Sequence, residues 1–254
     1  MKYIFCLLAT IILVHCNTNN HPKKQVVKKA VKTKQAPKEK KPLWLTDDNC
    51  AKFLKQYGDE NPETEFIIST EFGEIEIKLY NSTPLHRASF IYLIKEKKYF
   101  DDTYFYRVVK DFIAQAGNRD DERTQEKRFL IGKYTIPAEI NPNYFHQVGA
   151  VAMARNYDNN PNKRSSPYDF FIITGKKQSD FGLDMTEKEY NLKLSEEQRK
   201  TYMSLGGSPH LDGEHTIVGY VTSGIDVAKK ISAQETDGSD WPLENIPLTI
   251  RLKQ

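Results

Sequence analysis

The stretch Glu74-Ile75-Glu76-Ile77-Lys78-Leu79 alternates strictly between charged and aliphatic residues. Side chains of a strand point to opposite faces with period two, so this is a half-buried β-strand with Ile75, Ile77 and Leu79 inward. Phe66-Ile67-Ile68-Ser69-Thr70 precedes it across Glu71-Phe72-Gly73, which reads as a hairpin with glycine at the tight position. A slip of one residue would turn every aliphatic side chain to water, so the register is strongly specified.

Other strand patterns occupy Tyr104 to Val109, Gly149 to Ala154, Asp169 to Ile173 and Thr216 to Val221, and Leu248, Ile250 and Leu252 alternate in a closing strand. Two helices stand among them. Thr83-Pro84 supplies a capping hydroxyl and a first-turn proline, and Leu85, Ala88, Ile91 and Ile94 follow at helical spacing. Ile225 to Ala233 forms a second helix after Gly224. Many strands and two full-length helices predict a mostly β fold, a closed antiparallel barrel with its open ends plugged by helices. Fourteen Tyr and thirteen Phe supply aromatic area for the core.

The N-terminal part differs in kind. Ile4 to Val14 is apolar, follows Lys2 and is too short to span a bilayer, which reads as a secretory signal. It ends Leu13-Val14-His15-Cys16, which resembles a bacterial lipobox, with Cys16 as the lipidated residue. An ordinary secretory signal with an incidental Cys16 is the other reading. The segment 17–43 is Lys-rich with only Val and Ala as apolar residues before its last position, so a flexible tether is expected. The chain's net charge is +3; residues 1–44 carry +9, so the remainder carries −6. A basic tail on a mildly acidic domain is unlike a nucleic-acid binder, whose charge sits on the folded surface. With Cys6 removed and Cys16 lipidated, only Cys50 remains, so no internal disulfide is expected.

Order is expected from Trp44. Thr46 or Asp47 would cap a helix within 44–60 carrying Ala51, Phe53, Leu54 and Tyr57 and closed by Gly58. Thr186…Glu189 and Ser195…Gln198 form two capping boxes within 182–207, predicting two short surface helices. That segment is either a decoration or a contact for substrate or partner.

The run Phe105-Tyr106-Arg107-Val108-Val109-Lys110-Asp111-Phe112-Ile113-Ala114-Gln115-Ala116-Gly117-Asn118 sets one cation among apolar residues and ends in an amide near a glycine. It suits a shallow apolar pocket with a single charged donor. It resembles the active-site strand of the cyclophilins, the prolyl cis–trans isomerases, with Arg107, Phe112 and Gln115 at matching places. Three later segments resemble that family in the same order: Gly149-Ala150-Val151-Ala152-Met153-Ala154-Arg155, Ser165-Ser166-Pro167-Tyr168-Asp169-Phe170-Phe171-Ile172, and Pro209-His210-Leu211-Asp212-Gly213-Glu214-His215-Thr216-Ile217-Val218-Gly219.

The resemblance implies an eight-stranded cyclophilin-like barrel over 65–254, with 182–207 as an insertion. It implies that Arg107 is catalytic, that Phe112, Ile113, Phe171, Leu211 and His215 hold the proline ring with His210 beside them, and that Gln115, Ala154 and Arg155 hold flanking backbone. It implies no cofactor, and proline-containing polypeptides as partners. Asp169 stands where the family has Gln; facing the pocket it would pair with Arg107, holding it or drawing its field from substrate, so a weakened activity is expected.

The chemistry is consistent with those residue types. An X-Pro peptide bond resists rotation by ~18–20 kcal/mol of amide resonance and turns over in ~10–100 s unaided. Twisting localises a lone pair on the proline nitrogen, and a fixed cationic donor in a dry cup stabilises that state over both planar forms. The histidines His86, His146, His210 and His215 fit no standard zinc spacing, and no Gly-x-Ser-x-Gly elbow is present. The whole chain therefore reads as a monomeric, lipid-anchored isomerase of the cell envelope in a didermal bacterium. The outer membrane is favoured because Asn17, not Asp, follows Cys16. A proline-peptide binding module of weak turnover and a structural envelope lipoprotein are the alternatives.

Overall fold

The computed structural model describes residues 43–253. The signal, Cys16 and all but the last residue of the tether lie outside the described residues. In chain order the elements are β1 (Leu45–Thr46), α1 (Cys50–Glu60), β2 (Glu65–Thr70), β3 (Gly73–Leu79), α2 (Pro84–Lys95), β4 (Thr103–Val109), β5 (Ile113–Asn118), α3 (Glu122–Ile131) and β6 (Gly132–Lys133). They continue as β7 (Ala150–Met153), β8 (Phe170–Ile173), α4 (Asp180–Tyr190), α5 (Glu196–Ser204), β9 (Ile217–Ser223), α6 (Ile225–Ser232) and β10 (Ile246–Leu252).

Eight strands close into an antiparallel barrel in the order β10-β2-β3-β9-β7-β8-β5-β4. The β2–β3 hairpin has the expected register, with Phe66 opposite Ile77 and Ile68 opposite Ile75. Ile75, Ile77 and Leu79 are buried between exposed or half-buried charges. The barrel interior is one apolar core that also takes Ala88, Phe90 and Ile91 of α2 and Val227, Ala228 and Ile231 of α6. Phe90, Phe100 and Phe170 pack there edge-on or tilted at 5.2–5.7 Å.

Strands β5, β7 and β8 are covered on both faces. Ala114, Val151, Phe170 and Ile172 point into the barrel. Their neighbours Ile113, Ala150, Ala152, Phe171 and Ile173 join a second apolar cluster with Leu211 and Ile217. This is why the sequence of β7 and β8 is continuously apolar rather than alternating. The second cluster carries the pocket described below.

The helix starts differ from the sequence reading. Gly58 does not close α1; the helix continues to Glu60, and a Cβ on Gly58 would lie 3.0 Å from the Cβ of Ala88. The glycine permits close contact of α1 with α2, against which Phe53 and Tyr57 set their rings on Tyr92 at 4.9 and 5.3 Å. Neither Thr46 nor Asp47 is the N-cap; Asn49 is. The Thr83 hydroxyl donates to Tyr80 O instead of capping α2. The cap comes from Glu139, whose carboxylate accepts from the Leu85 and His86 amides, both at 3.0 Å. The insertion does hold two helices, but α4 is capped by Ser179 and Thr186 lies inside it, while Ser195 makes the expected capping box of α5. Helix α3, capped by Asp121, was not expected at all.

Candidate active site

The run Phe105 to Asn118 is not one strand but a hairpin, β4 and β5, turned at Asp111 with φ of 59°. The pairing has Phe105 opposite Ala116 and Arg107 opposite Gln115, so Tyr106 is an extra residue in β4, a β-bulge. The bulge changes the pleat. Phe105 and Val108, three apart, are both buried in the barrel, while Tyr106 and Arg107 are both half-buried. Arg107 reaches the outer cluster for that reason.

A cavity of about 140 Å3 opens there. Small-molecule sites commonly measure ~300–1,000 Å3, so this one suits a single side-chain ring. Arg107, Phe112, Ile113, Gln115, Ala154, Arg155, Phe171, Leu211 and His215 line it, together with Tyr157, which the sequence reading missed. His210 does not line it. Its ring stacks beside Phe112 at 5.4 Å, one layer out.

Three walls are fixed by polar partners. His215 Nδ1 donates to Met153 O at 3.0 Å, so Nε2 is bare and accepts from the Tyr157 hydroxyl at 2.8 Å. Burial lowers the His215 pKa to about 4, which keeps this ring neutral. Arg155 turns inward to Glu214, with Nη2 2.5 Å from Oε2 and Nε donating to the main-chain oxygen at 2.8 Å. Its guanidinium covers the Tyr157 ring at 4.0 Å. The Ala154 amide donates to Asp169 O and its carbonyl accepts from Ser166, both within 2.9 Å, so that backbone is already partnered. Behind Phe171, the His146 ring lies nearly parallel at 6.4 Å and Nδ1 bonds Asp212 Oδ1 at 3.0 Å.

Arg107 and Asp169 are not partners. Asp169 is 9% exposed and faces Arg128 of α3, Nη2 to Oδ1 at 2.9 Å, with the Ser166 hydroxyl on Oδ2 at 2.7 Å. Burial pushes its carboxyl upward, and the Arg128 charge opposes this. Arg128 also donates to Tyr99 OH and Gly117 O. Gln115 does not orient Arg107 either; its amide donates to the Tyr106 hydroxyl. The residue that holds Arg107 is Asp240, in the turn before β10. Arg107 Nε donates to Asp240 Oδ2 at 3.1 Å and Nη2 lies 3.0 Å from the same oxygen. Asp240 has φ of 63°, and its carbonyl accepts from the Val108 amide at 2.9 Å. Arg107 Nη1 has no hydrogen-bond partner among the described residues.

Two other constellations carry no chemistry. Ser165, His86 and Glu139 form a hydrogen-bonded chain at 2.9 and 2.6 Å, but Ser165 is 1% exposed and the chain serves the α2 cap. Among the described residues no group of three His, Cys, Asp or Glu could hold a metal ion.

A closed antiparallel barrel with the Arg107 guanidinium beside a ring-sized hollow defines the cyclophilin class of protein. The sequence profile described as "Cyclophilin type peptidyl-prolyl cis-trans isomerase/CLD" matches residues 65–251, and the chain belongs to that family. It is 28% identical over 184 residues to peptidyl-prolyl cis-trans isomerase ppi1 of Schizosaccharomyces pombe, covering 72% of this chain and 93% of the relative. It is 32% identical over 179 residues to peptidyl-prolyl cis-trans isomerase 9 of the same yeast, 70% of this chain but 23% of that longer protein. A crystal structure of a cyclophilin-type isomerase from Cryptosporidium parvum superposes with a TM-score of 0.52 at 19% identity, covering 76% of this chain and 98% of that one.

Proposed function

We propose that this cyclophilin accelerates cis–trans isomerisation of X-Pro bonds in exposed segments of cell-envelope proteins, assisting their folding. The observation that carries the reading is the guanidinium of Arg107 at the rim of a hollow whose size fits a proline ring. In this reading the ring enters between Phe112, Ile113, Phe171 and Leu211, closed by neutral His215. Arg107 donates through its free Nη1 edge to the proline nitrogen as the amide twists. No proton is transferred, so a permanently charged donor suffices. The backbone flanking the proline runs past Gln115, Ala154 and Arg155.

A protease-coupled peptide assay tests it. Acceleration that Arg107→Ala removes supports the isomerase. Peptide binding without acceleration supports the second reading, a capture module. That reading is favoured by Asp240, whose charge offsets part of the Arg107 field, in the role expected of Asp169.

The envelope address and the anchor rest on the N-terminal sequence, outside the described residues. We take Cys16 as the lipidated residue, 17–43 as the tether and the outer-membrane periplasmic face as the destination of a monomer. Cys16→Ala would then move the protein from the membrane fraction to the soluble one. Activity that survives Arg107→Ala but fails on deletion of 20–43 would support a structural envelope role instead.

A further inference from the structure

The insertion between β8 and β9 is fixed to the barrel beside the pocket. It has a small core of its own, Leu183, Leu194 and Tyr202. The Tyr202 hydroxyl bonds both oxygens of Asp212, at 2.9 and 2.8 Å, and Gln198 reaches the same carboxylate at 3.3 Å. Asp212 in turn holds the His146 amide and ring, and that ring backs Phe171. Arg199 clamps α5 to Asp184 and Glu187 of α4, at 2.7 and 2.6 Å. The last residue of α4, Tyr190, is thereby held in place on a rigid support.

Tyr190 continues the pocket outward. Its ring lies 5.5 Å from that of His210, and His210 lies 5.4 Å from Phe112, a pocket wall. The three rings form a shelf from the buried hollow to a side chain that is 48% exposed. Burial lowers the His210 pKa, so the shelf is uncharged near neutrality. The exposed end has no aromatic neighbour beyond His210 among the described residues, which leaves a tyrosine face to water.

We propose that Tyr190, with His210, forms a subsite for an aromatic or large apolar side chain near the proline of the substrate. This rests on the isomerase reading above and adds the substrate class to it. The centroid steps total at most about 11 Å, and extended chain advances ~3.3 Å per residue, so the occupant is two or three residues from the proline. It lies on whichever side the chain leaves past Phe112. Ring-on-ring contact adds to area burial at this site.

The experiment compares kcat/KM for Ala-Pro peptides carrying Phe or Ala at each place from three residues before the proline to three after. Phe is expected to be favoured about three- to tenfold at one or two adjacent places on one side. Tyr190→Ser should bring that ratio close to one, and Tyr190→Phe should keep it. A ratio near one in the wild type, or one that Tyr190→Ser leaves unchanged, overturns the subsite while the isomerase stands. Absence of acceleration by the wild type with the Ala peptide alone overturns the isomerase reading itself. Circular dichroism on both Tyr190 variants separates loss of the subsite from loss of the fold.

Discussion

Arg107 and Asp240 meet through a single carboxylate oxygen, at 3.1 Å from Nε and 3.0 Å from Nη2. The two residues stand 133 apart in sequence. Both side chains are about two-fifths exposed, so solvent screens the pair and its contribution to stability is small. Its effect is on orientation. A free arginine side chain loses roughly 2 kcal/mol of rotamer freedom when fixed, and Asp240 fixes it before substrate arrives. Asp240→Ala should lower kcat/KM about tenfold, and Asp240→Asn, which keeps the acceptor, should lower it less. In an Arg107→Ala background the Asp240→Ala change should have no further effect, and a double-mutant cycle of kcat/KM checks this.

The pH dependence follows from the groups around the hollow. His215 titrates at about 4, burial raises the Tyr157 pKa, and a guanidinium does not titrate in this range. The kcat/KM profile should therefore be flat from about pH 6 to 9, with no bell shape. A titration step inside that window would sink the proton-free mechanism.

The same histidine predicts acid sensitivity of the fold. Its folded pKa, about 4, lies below the ordinary 6.5, so between those values the folded state binds fewer protons than the unfolded one. Stability then falls as pH drops from about 6.5 to about 4, by up to about 3 kcal/mol, and levels below. In urea titrations at pH 7.5 and 4.5, the gap between wild type and His215→Asn should narrow at the lower pH.

Arg128 and Asp169 form a mostly buried pair, and Arg128 also serves Tyr99 and Gly117. Arg128→Met leaves Asp169 without its charge partner. A loss of about 3–5 kcal/mol is expected in chemical denaturation, less if Asp169 takes up a proton. Pairing the change with Asp169→Asn should recover part of it.

Glu139 caps α2 from a loop more than fifty residues away. Glu139→Ala removes two amide partners and the companion of His86 Nδ1. A loss of about 2 kcal/mol is expected, near the upper end for a cap. Glu139→Gln should lose less, since one acceptor oxygen remains.

Most of the barrel was legible because one face of each strand had to be apolar. β3 and β10 alternate in sequence as they do in burial. Nine of the ten nominated pocket and donor residues line one cavity, because the four motifs sit on adjacent strands and the segments that flank them. His210 did not join them, since a motif gives order along the chain but not depth. What was illegible came from polar residues meeting across long separations. Helix α3 has no apolar stripe, and Phe129 and Leu130 are about 70% exposed, so periodicity gave no signal for it. The partner of Asp169 lies on that helix, and the incorrect pairing with Arg107 followed. Asp240 and Tyr157 lie outside the strands and helices, where no pattern shows which way a side chain points.

The supernumerary Tyr106 has a consequence for how this chain tolerates change. Parity along β4 is broken once, and the break alone sends the guanidinium outward while the next residue returns to the oily interior. A pairing that absorbed the bulge and kept a plain two-residue rhythm from Phe105 would turn Arg107 inward and aim a cation at hydrocarbon. The outward place of the guanidinium is thus held by pairing register more than by residue identity: an exchange of one side chain here leaves the register alone, whereas a slip of one residue turns the stretch inside out.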